Sequence, residues 1–433
     1  MTGNIIIKNA AELVACSGFA AKKGGEMSEL GVIADGAVVI EAGRITNVGT
    51  TAQVIADINE SGRNLSLFDT IDATGKAVLP GFVDSHTHFV FGGYRAEEFA
   101  WRLQGISYMD ILQRGGGILS TVSATRAASR EELLESGLKR LDSLLSFGVT
   151  TVEGKSGYGL DRETELKELE VMAELNRLHP VDVVSTFMGA HAVPPEYRGR
   201  ADAYIDFLLD EVMPEVVSRH LAEFCDVFCE NNVFSIEQSR RLLTKAAQSG
   251  LRPKLHADEI VALGGAELAA EIGAISADHL LHASDDGIRA MAKAGTVATL
   301  LPATAFSLRE PYARGRFMID AGCAVALATD FNPGSCFSES LPLVAAAAAL
   351  YMNISPEEIV TALTINGAAA LGRAEVTGSL DCGKQGDVII LENPSYRYIP
   401  YHIGVSTVEK VIKKGTVVFD KLLKKHIFYG KYL

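Results

Sequence analysis

The sequence has few of the features that mark secreted, membrane-spanning or disulfide-rich proteins. Six cysteines among 433 residues are too sparse for a disulfide scaffold, so we expect free thiols in a reducing cytoplasm. The longest apolar run, residues 341–352, is shorter than the roughly 20 residues that span a bilayer, and it predicts a buried helix instead. Residues 1–16 contain no basic segment followed by an apolar core, and we predict no secretory signal.

Cationic side chains are also outnumbered. The chain has 40 basic and 54 acidic residues, a formal net charge of −14, whereas a general nucleic-acid binder needs a cationic surface. Its content of 48% hydrophobic and 22% charged residues is that of an ordinary globular protein. We therefore expect a folded cytoplasmic protein that binds neither nucleic acid nor a membrane.

The two ends of the chain differ in pattern from its middle. Short apolar segments separated by turn residues, such as residues 37–40 and 44–48 near the start and 387–391 near the end, predict antiparallel strands. We predict that residues 1–80 and 372–433 form one composite small β-sandwich domain.

The middle of the chain, residues 81–371, alternates short apolar runs with amphipathic helical segments. This alternation predicts βαβ units around a parallel sheet. Eight units in about 290 residues fit an α/β fold, a closed (β/α)₈ TIM-like barrel; a doubly wound open sheet is the alternative. The apolar runs are residues 78–83, 149–152, 181–188, 226–229, 253–255, 275–277, 297–301 and 323–328.

Histidines and carboxylates follow several of these runs, where a barrel carries its catalytic groups. His86 and His88 follow the first run, and alternate residues of a strand point the same way. The later candidates are His256 and Glu259 after the fifth run, His279 after the sixth and Asp330 after the eighth. Three imidazoles and a carboxylate suit one Zn²⁺ or iron ion, which lowers the pKa of water and supplies hydroxide.

The segment 79–88, LPGFVDSHTH, resembles the first-strand signature of the metal-dependent amidohydrolase superfamily. Residues 378–388 resemble the point where the chain of that superfamily returns to its small β domain. Five further segments resemble the branch of the superfamily that opens an imidazolone ring in histidine breakdown. They are residues 91–95, 153–159, 189–194, 256–259 and 328–335.

The resemblance implies one metal ion per chain, Zn²⁺ or Fe²⁺/Fe³⁺, and a homodimer. The implied metal ligands are His86, His88, His256 and Asp330. The implied catalytic residues are Glu259, His279 and Asp330. The implied substrate-binding residues are Arg95, Tyr158, His191, Glu259, Asn332, Gly334 and Ser335.

The implied substrate is small and anionic, an imidazolone ring that carries a propanoate tail, and hydrolysis of its ring amide yields N-formimidoyl-L-glutamate. Arg95 lies seven residues past His88 and can reach over the barrel mouth. A guanidinium can bind a carboxylate through two parallel hydrogen bonds, so we expect Arg95 to bind the tail. The division of proton transfer among Glu259, His279 and Asp330 stays open.

Other functions fit part of the pattern. A purine or pyrimidine deaminase of the same superfamily would use the same metal ligands, but Arg95 with Tyr158 and His191 favours an anionic substrate. A metal-storing or regulatory barrel without catalysis is the third alternative, and the intact Glu259 and Asp330 argue against it.

A second metal ion would need a bridging group near the fourth strand. Glu230, beside Cys229, could serve, although we expect both residues to be structural. Lys155 follows a different run, and its simplest interpretation is an ion-pair lysine.

Overall fold

The structure, a computed structural model, describes residues 4–106, 110–111, 114–423 and 425–426, and its strands form three sheets. The N-terminal strands are β1 (Ile5–Ala10), β2 (Glu12–Val14), β3 (Val32–Ile33), β4 (Gly36–Glu41), β5 (Arg44–Thr50), β6 (Asp69–Asp72) and β7 (Ala77–Pro80). The middle strands are β8 (Phe82–Asp84), β9 (Val149–Lys155), β10 (Asp182–Ala190), β11 (Phe224–Cys229), β12 (Arg252–Ala257), β13 (Ser276–His279), β14 (Val297–Leu300) and β15 (Val325–Leu327). The C-terminal strands are β16 (Val388–Leu391), β17 (Val408–Lys413), β18 (Thr416–Asp420) and β19 (Lys425–His426).

Strands β8 to β15 form one parallel sheet in which each strand pairs with the next along the chain. The sheet closes on itself just beyond β8 and β15, where Thr87 and Phe331 form a parallel bridge and the His88 N–H donates to the Phe331 carbonyl at 2.9 Å. The predicted (β/α)₈ barrel is confirmed, and the open-sheet alternative is wrong.

Helices surround the barrel, as the amphipathic segments predict. The helices are α1 (Thr51–Glu60), α2 (Ala96–Leu103), α3 (Ile118–Ala127), α4 (Arg130–Ser146), α5 (Arg162–Leu178), α6 (Ala201–Phe207), α7 (Met213–Ser218), α8 (Ile236–Gln248), α9 (Gly265–Glu271), α10 (Asp285–Ala294), α11 (Pro302–Leu308), α12 (Gly315–Asp320), α13 (Leu341–Met352), α14 (Pro356–Leu363), α15 (Ile365–Ala370) and α16 (Tyr398–Tyr401). A π-helical turn, Leu208–Val212, joins α6 to α7, and short 3₁₀ turns lie at Gly24–Ser28, Leu65–Leu67, Pro195–Tyr197 and Lys421–Leu423.

Local signals explain where several helices begin. Ser129, Ser235 and Ser355 precede α4, α8 and α14, and each accepts a hydrogen bond from the backbone three residues on, which satisfies an N–H that the first turn leaves free. The long apolar run is α13, a largely buried helix. In the part of the chain that the structure describes, no helix combines the length and hydropathy needed to cross a bilayer.

The chain ends form two further sheets. One has the order β5-β4-β1-β6, and the other has the order β19-β18-β17-β16-β7-β2-β3, in which β16 pairs antiparallel with β7 and joins the two ends. We expected antiparallel strands throughout, which is wrong for two pairs: β1–β6 and β2–β7 are parallel. A long crossover connects the two strands of each pair, as parallel pairing requires. The crossover between β1 and β6 includes α1.

The β sheets contact the barrel at several points. The chain passes from β7 to β8 at Gly81, where a Cβ atom would lie 2.3 Å from the Thr150 side chain. The 3₁₀ turn Gly24–Ser28 lies against the barrel helices, since the Thr361 hydroxyl donates to the Met27 carbonyl at 2.7 Å. We propose that residues 1–80 and 372–433 form one domain and that residues 81–371 form the other.

Candidate active site

The four predicted metal ligands meet at the carboxyl end of the barrel strands. His86 and His88 follow β8, His256 lies near the end of β12, and Asp330 follows β15. His86 Nε2 and His88 Nε2 lie 3.5 and 3.8 Å from Asp330 Oδ1, and His256 Nε2 lies 3.3 Å from His88 Nε2. All four side chains are buried.

This cluster has the donor set of a metal site. Ligand atoms of His86, His88 and Asp330 lie within 4.8 Å of one another, as do those of His86, His256 and His279. The buried His86 Nε2 has no hydrogen-bond partner among the described residues. Burial first, and neighbouring imidazoles and Lys155 next, lower the pKa of His86, His88 and His256 well below the usual value. Neutral imidazole is the form that binds a metal, so the cluster is able to bind one.

Two buried carboxylates lie next to the Nδ1 atoms of two of the histidines. Asp278 Oδ2 lies 2.6 Å from His86 Nδ1, and Asp226 Oδ2 lies 3.1 Å from His256 Nδ1. The hydrogen bond with Asp278 orients the His86 ring and leaves its Nε2 free as a ligand, whereas His256 Nδ1 has no hydrogen-bond partner among the described residues. Lys155 Nζ lies 2.7 Å from Asp226 Oδ2 and 3.5 Å from Asp278 Oδ2, so one ammonium group links both carboxylates.

Lys155 belongs to a larger buried ion cluster inside the barrel. Lys155 and Lys254 lie 3.0 and 3.1 Å from Glu153 Oε2. Burial alone would raise the pKa of Asp278, but Lys254 and Lys155 outweigh it and lower that pKa. Sequence reasoning treated Lys155 as an ion-pair lysine and missed Lys254 and its carboxylate partners. The signal in the sequence is a charged residue inside an apolar strand, because a charge is buried there only when it is paired with an opposite charge.

Asp330 of the cluster, and Glu259 and His279 beside it, are able to transfer protons. Burial raises the pKa of Asp330 to about 7, while the Thr304 hydroxyl, which donates to Asp330 Oδ2 at 2.7 Å, opposes the rise. Burial and then Asp330 raise the pKa of Glu259 to about 8, and Glu259 Oε2 lies 3.5 Å from His279 Nε2. Burial lowers the pKa of His279 to about 4. Two carboxyl groups therefore titrate near neutral pH next to an uncharged imidazole.

The backbone turns sharply where these residues leave their strands. Asp258, His279 and Asp330 have φ angles of 50°, 75° and 50°, in the left-handed region that non-glycine residues rarely adopt. The Asp258 carboxylate accepts hydrogen bonds from the backbone N–H groups of residues 263–266 at 2.9–3.0 Å. Asp258 thus holds the loop that carries Glu259.

A cavity of about 660 Å³ opens above the cluster. All seven predicted substrate-binding residues line it: Arg95, Tyr158, His191, Glu259, Asn332, Gly334 and Ser335. The His191 ring stacks on His88, with centroids 4.9 Å apart and planes 20° apart, and the Tyr158 ring lies 5.3 Å from His191. Burial lowers the pKa of His191 to about 4.

Arg95 lies at the far end of the cavity, and its guanidinium, which we expected to bind the carboxylate of the substrate tail, is already paired. Its Nε and Nη2 donate to the Glu98 carboxylate at 2.8 and 2.5 Å, so the two-pronged partner of Arg95 in the structure belongs to the protein itself. Sequence reasoning missed Glu98 and Arg102, which line the same cavity. The spacing of three and seven residues from Arg95 was the available signal.

The turn that carries Asn332, Gly334 and Ser335 is stabilised by its own hydrogen bonds. Asn332 Oδ1 accepts from the backbone N–H groups of Gly334 and Ser335, both at 2.8 Å, and Asn332 Nδ2 donates to the Asp330 carbonyl at 2.7 Å. Asn332 therefore orients the turn next to Asp330.

Glu230 supports a loop. Its Oε2 accepts from the Ile260 N–H at 2.8 Å, and its Oε1 accepts from the Asn231 N–H at 2.7 Å. The side chain is buried and, with Cys229, takes the structural place that we expected.

The sequence is similar to known proteins over almost its whole length. A profile of the Amidohydrolase family matches residues 69–108 and 105–419. The imidazolonepropionase of Clostridium tetani is 60% identical over 419 residues, which are 97% of this chain and 99% of that protein. The imidazolonepropionase of Parabacteroides distasonis is 60% identical over 411 residues, 95% of this chain and 98% of that protein. The chain belongs to the imidazolonepropionase family.

Solved structures share the architecture of this family at much lower identity. A guanine deaminase from E. coli matches with a TM-score of 0.71 at 14% identity, covering 97% of this chain and all of its own (100%). A zinc-bound adenosine deaminase from Xanthomonas campestris matches with a TM-score of 0.67 at 18% identity, covering 96% of this chain and 93% of its own. These matches show the amidohydrolase fold.

Proposed function

We propose that this enzyme hydrolyses the ring amide of 4-imidazolone-5-propanoate to N-formimidoyl-L-glutamate, a step of histidine degradation. The proposal rests on a single cavity whose two ends differ in chemistry. A neutral histidine cluster with Asp330 lies at the closed end, and arginine side chains lie at the other. The near full-length identity to imidazolonepropionases supports the same substrate.

One metal ion per chain, Zn²⁺ or Fe²⁺/Fe³⁺, would be held by His86, His88, His256 and Asp330. Imidazole and carboxylate ligands suit either metal. When bound, the ion supplies Lewis-acid chemistry, which polarises a carbonyl and brings the pKa of water toward neutrality.

Asp330, Glu259 and His279 have complementary roles around the scissile amide. Asp330 accepts a proton from the attacking water and delivers it to the leaving ring nitrogen. His279 is uncharged at neutral pH and donates a hydrogen bond to the developing oxyanion. Glu259, close to His279, hydrogen-bonds the ring nitrogens and selects one tautomer.

The remaining cavity residues position the substrate. His191 stacks on His88 and presents an edge to the ring. Burial raises the pKa of Tyr158 far above its usual value, so its hydroxyl remains a hydrogen-bond donor. Arg95 lies at the end of the cavity that receives the propanoate tail.

The chain would act as a cytoplasmic homodimer. All six cysteines are free, and five are buried, as is usual in a reducing compartment.

A second, apolar groove of about 880 Å³ adjoins the site and is flanked by the exposed side chains of Phe99, Leu103, Phe306, Phe337 and Tyr351. Exposed apolar patches of this kind are typical of interfaces, and sedimentation equilibrium would measure the mass in solution.

A hydrolysis assay tests the proposed function. The protein is loaded with zinc or iron and mixed with 4-imidazolone-5-propanoate, the loss of ultraviolet absorbance is followed, and the product is identified by mass spectrometry. We expect ring opening without release of ammonia, and no turnover by His256→Ala. Ammonia release from a purine or pyrimidine base, with no reaction on the imidazolone, would instead support a deaminase.

A further inference from the structure

The buried guanidinium of Arg140 contacts the segment that follows the candidate metal ligand His88. Arg140 lies on α4, one of the helices that surround the barrel, and only 7% of its surface is exposed. The segment, residues 89–95, leads from the end of the first barrel strand to the start of α2. A charge buried at such a place needs a reason, because burying it costs free energy unless it is compensated.

Arg140 binds the segment in two ways. Its Nη1 donates to the carbonyls of Phe89 and Phe91, at 2.7 and 3.1 Å, and its Cζ atom lies 3.5 Å from the centre of the Phe91 ring. The carbonyl dipoles and the face of the aromatic ring both stabilise the cation. A planar guanidinium makes the two kinds of contact at once, which the compact ammonium group of a lysine cannot do equally well.

The segment is also fixed on the side of α3. The Gly92 N–H donates to Thr125 Oγ1 at 2.9 Å, and a Cβ atom at Gly92 would lie 2.6 Å from the Ala124 carbonyl oxygen. Gly93 has a φ angle of 75°, a left-handed conformation that favours glycine. Two helices, α3 and α4, therefore hold the backbone of the segment in one place.

The segment joins two functional parts of the site. It begins after His88 in the histidine cluster and ends at Arg95, the N-cap of α2. In between, the Phe91 ring lies 6.2 Å from the Tyr158 ring, with the two planes 78° apart. Through Phe91, Arg140 thus supports a wall of the cavity as well as the backbone between its two ends.

We propose that Arg140 is a positioning residue that fixes the distance between the histidine cluster and the start of α2. A substrate that reaches both places is held correctly at the reacting centre only when this distance is constant, and a displacement of 1 Å can cost about 100-fold in rate. The inference rests on the proposed function, since the propanoate tail is what brings the substrate to the second place. A ring without a tail does not depend on the distance.

Arg140→Lys tests the proposal without removing the buried charge. The lysine keeps a donor for the carbonyls but loses the flat group over Phe91. We expect kcat/KM for 4-imidazolone-5-propanoate to fall at least about 10-fold, mainly through kcat, and kcat/KM for a tail-less imidazolone to change little. Arg140→Met, which also removes the donor, should lose more on the tailed substrate.

The matched control is Arg130→Lys, the same change on the same helix at a side chain that is 42% exposed. It should behave like the unmodified enzyme on both substrates. A merely structural role of Arg140 would lower the fraction of active enzyme, and with it the rates on the tailed and tail-less rings by the same factor.

The fluorescence of Trp101 tests the same role without turnover. It is the only tryptophan in the chain, six residues after Arg95 on α2. If Arg140 fixes the start of that helix, acrylamide should quench Trp101 more strongly in Arg140→Lys than in Arg130→Lys. This difference, in a protein that fails to open the imidazolone, would refute the proposed function and leave the role of Arg140 standing. Equal quenching in the two variants, or equal losses on the tailed and tail-less rings, would overturn that role.

Discussion

Asp330 shows how much of the chemistry of a residue is set by its surroundings. Its position after the last strand is visible in the sequence. Its raised pKa comes from burial, and its orientation from Thr304, 26 residues earlier on the helix that follows β14. Contacts between different elements leave no local pattern, which is why the residue was predicted and its partner was not.

Replacing Asp330 by asparagine separates ligand binding from proton transfer. The amide keeps a ligand oxygen but cannot accept a proton in the way a carboxylate does. We expect kcat to fall by orders of magnitude while metal content, measured by elemental analysis, falls less. A near-normal kcat would remove Asp330 from the proton path.

Replacing Lys155 by methionine tests the buried ion cluster. The change leaves Asp226, Asp278 and Glu153 with fewer cations in a fully buried site, and loss of one partner of a buried pair costs about 3–5 kcal/mol. We expect the free energy of unfolding in urea to fall by that order. Lys139→Met is the control, since the exposed pair of Lys139 with Glu135 should matter little. Equal stabilities of the two variants would contradict the argument.

At the scale of elements, the sequence predicted the strands and helices better than their partners. All eight predicted apolar runs overlap barrel strands, although the first, residues 78–83, covers most of β7 and only part of β8. Strands β2 and β3 were missed because two or three residues are too few to show alternation. The pairing of β16 with β7 joins segments about 300 residues apart, and only the general similarity of the two ends indicated it.

Asp182 links the barrel to the C-terminal sheet and should make that contact sensitive to pH. The first residue of β10, it accepts from Lys413 and Lys414 at 2.8 Å each and from Gln385 at 2.8 Å. Burial alone would raise its pKa, but these partners lower it from 3.8 to about 2. The unfolded chain therefore binds the proton first, and the stability from Asp182 is present above about pH 4 and lost as the pH falls through about 2.

Asp182→Asn removes this contribution. We expect the variant to be less stable at pH 7 and to lose less stability than the unmodified protein between pH 4 and 2, measured by urea unfolding. Asp286→Asn, at an almost fully exposed carboxylate, controls for the change itself. Identical pH profiles for all three proteins would show that Asp182 contributes nothing.

For the whole molecule, the metal site joins distant parts of the barrel. Its candidate ligands lie just after β8, near the end of β12 and just after β15, so an ion that binds only the folded state should stabilise the entire chain. We expect chelation to lower Tm and added Zn²⁺ to restore it, with no such response in His256→Ala. An unchanged Tm on chelation would contradict a role for the ion in holding these strands together.

The distinction between local patterns and contacts between elements applies to the whole molecule. The barrel and the metal-binding residue types could be predicted because strand-end histidines and alternating apolar runs are local patterns. The pairing of Arg95 with Glu98, and of Lys155 with two carboxylates, could not, because each depends on which side chains the closed barrel brings within reach.

We propose that His86, His88, His256 and Asp330 hold a single metal ion, and the location of the ion in a crystal tests this most directly. Crystals of the zinc- or iron-loaded protein, measured at both absorption edges, locate each ion by its anomalous scattering. We predict one peak per chain, at the edge of the loaded metal, within coordination distance of these four side chains. Two peaks per chain, or one peak at the Glu153 and Asp278 carboxylates, would contradict it.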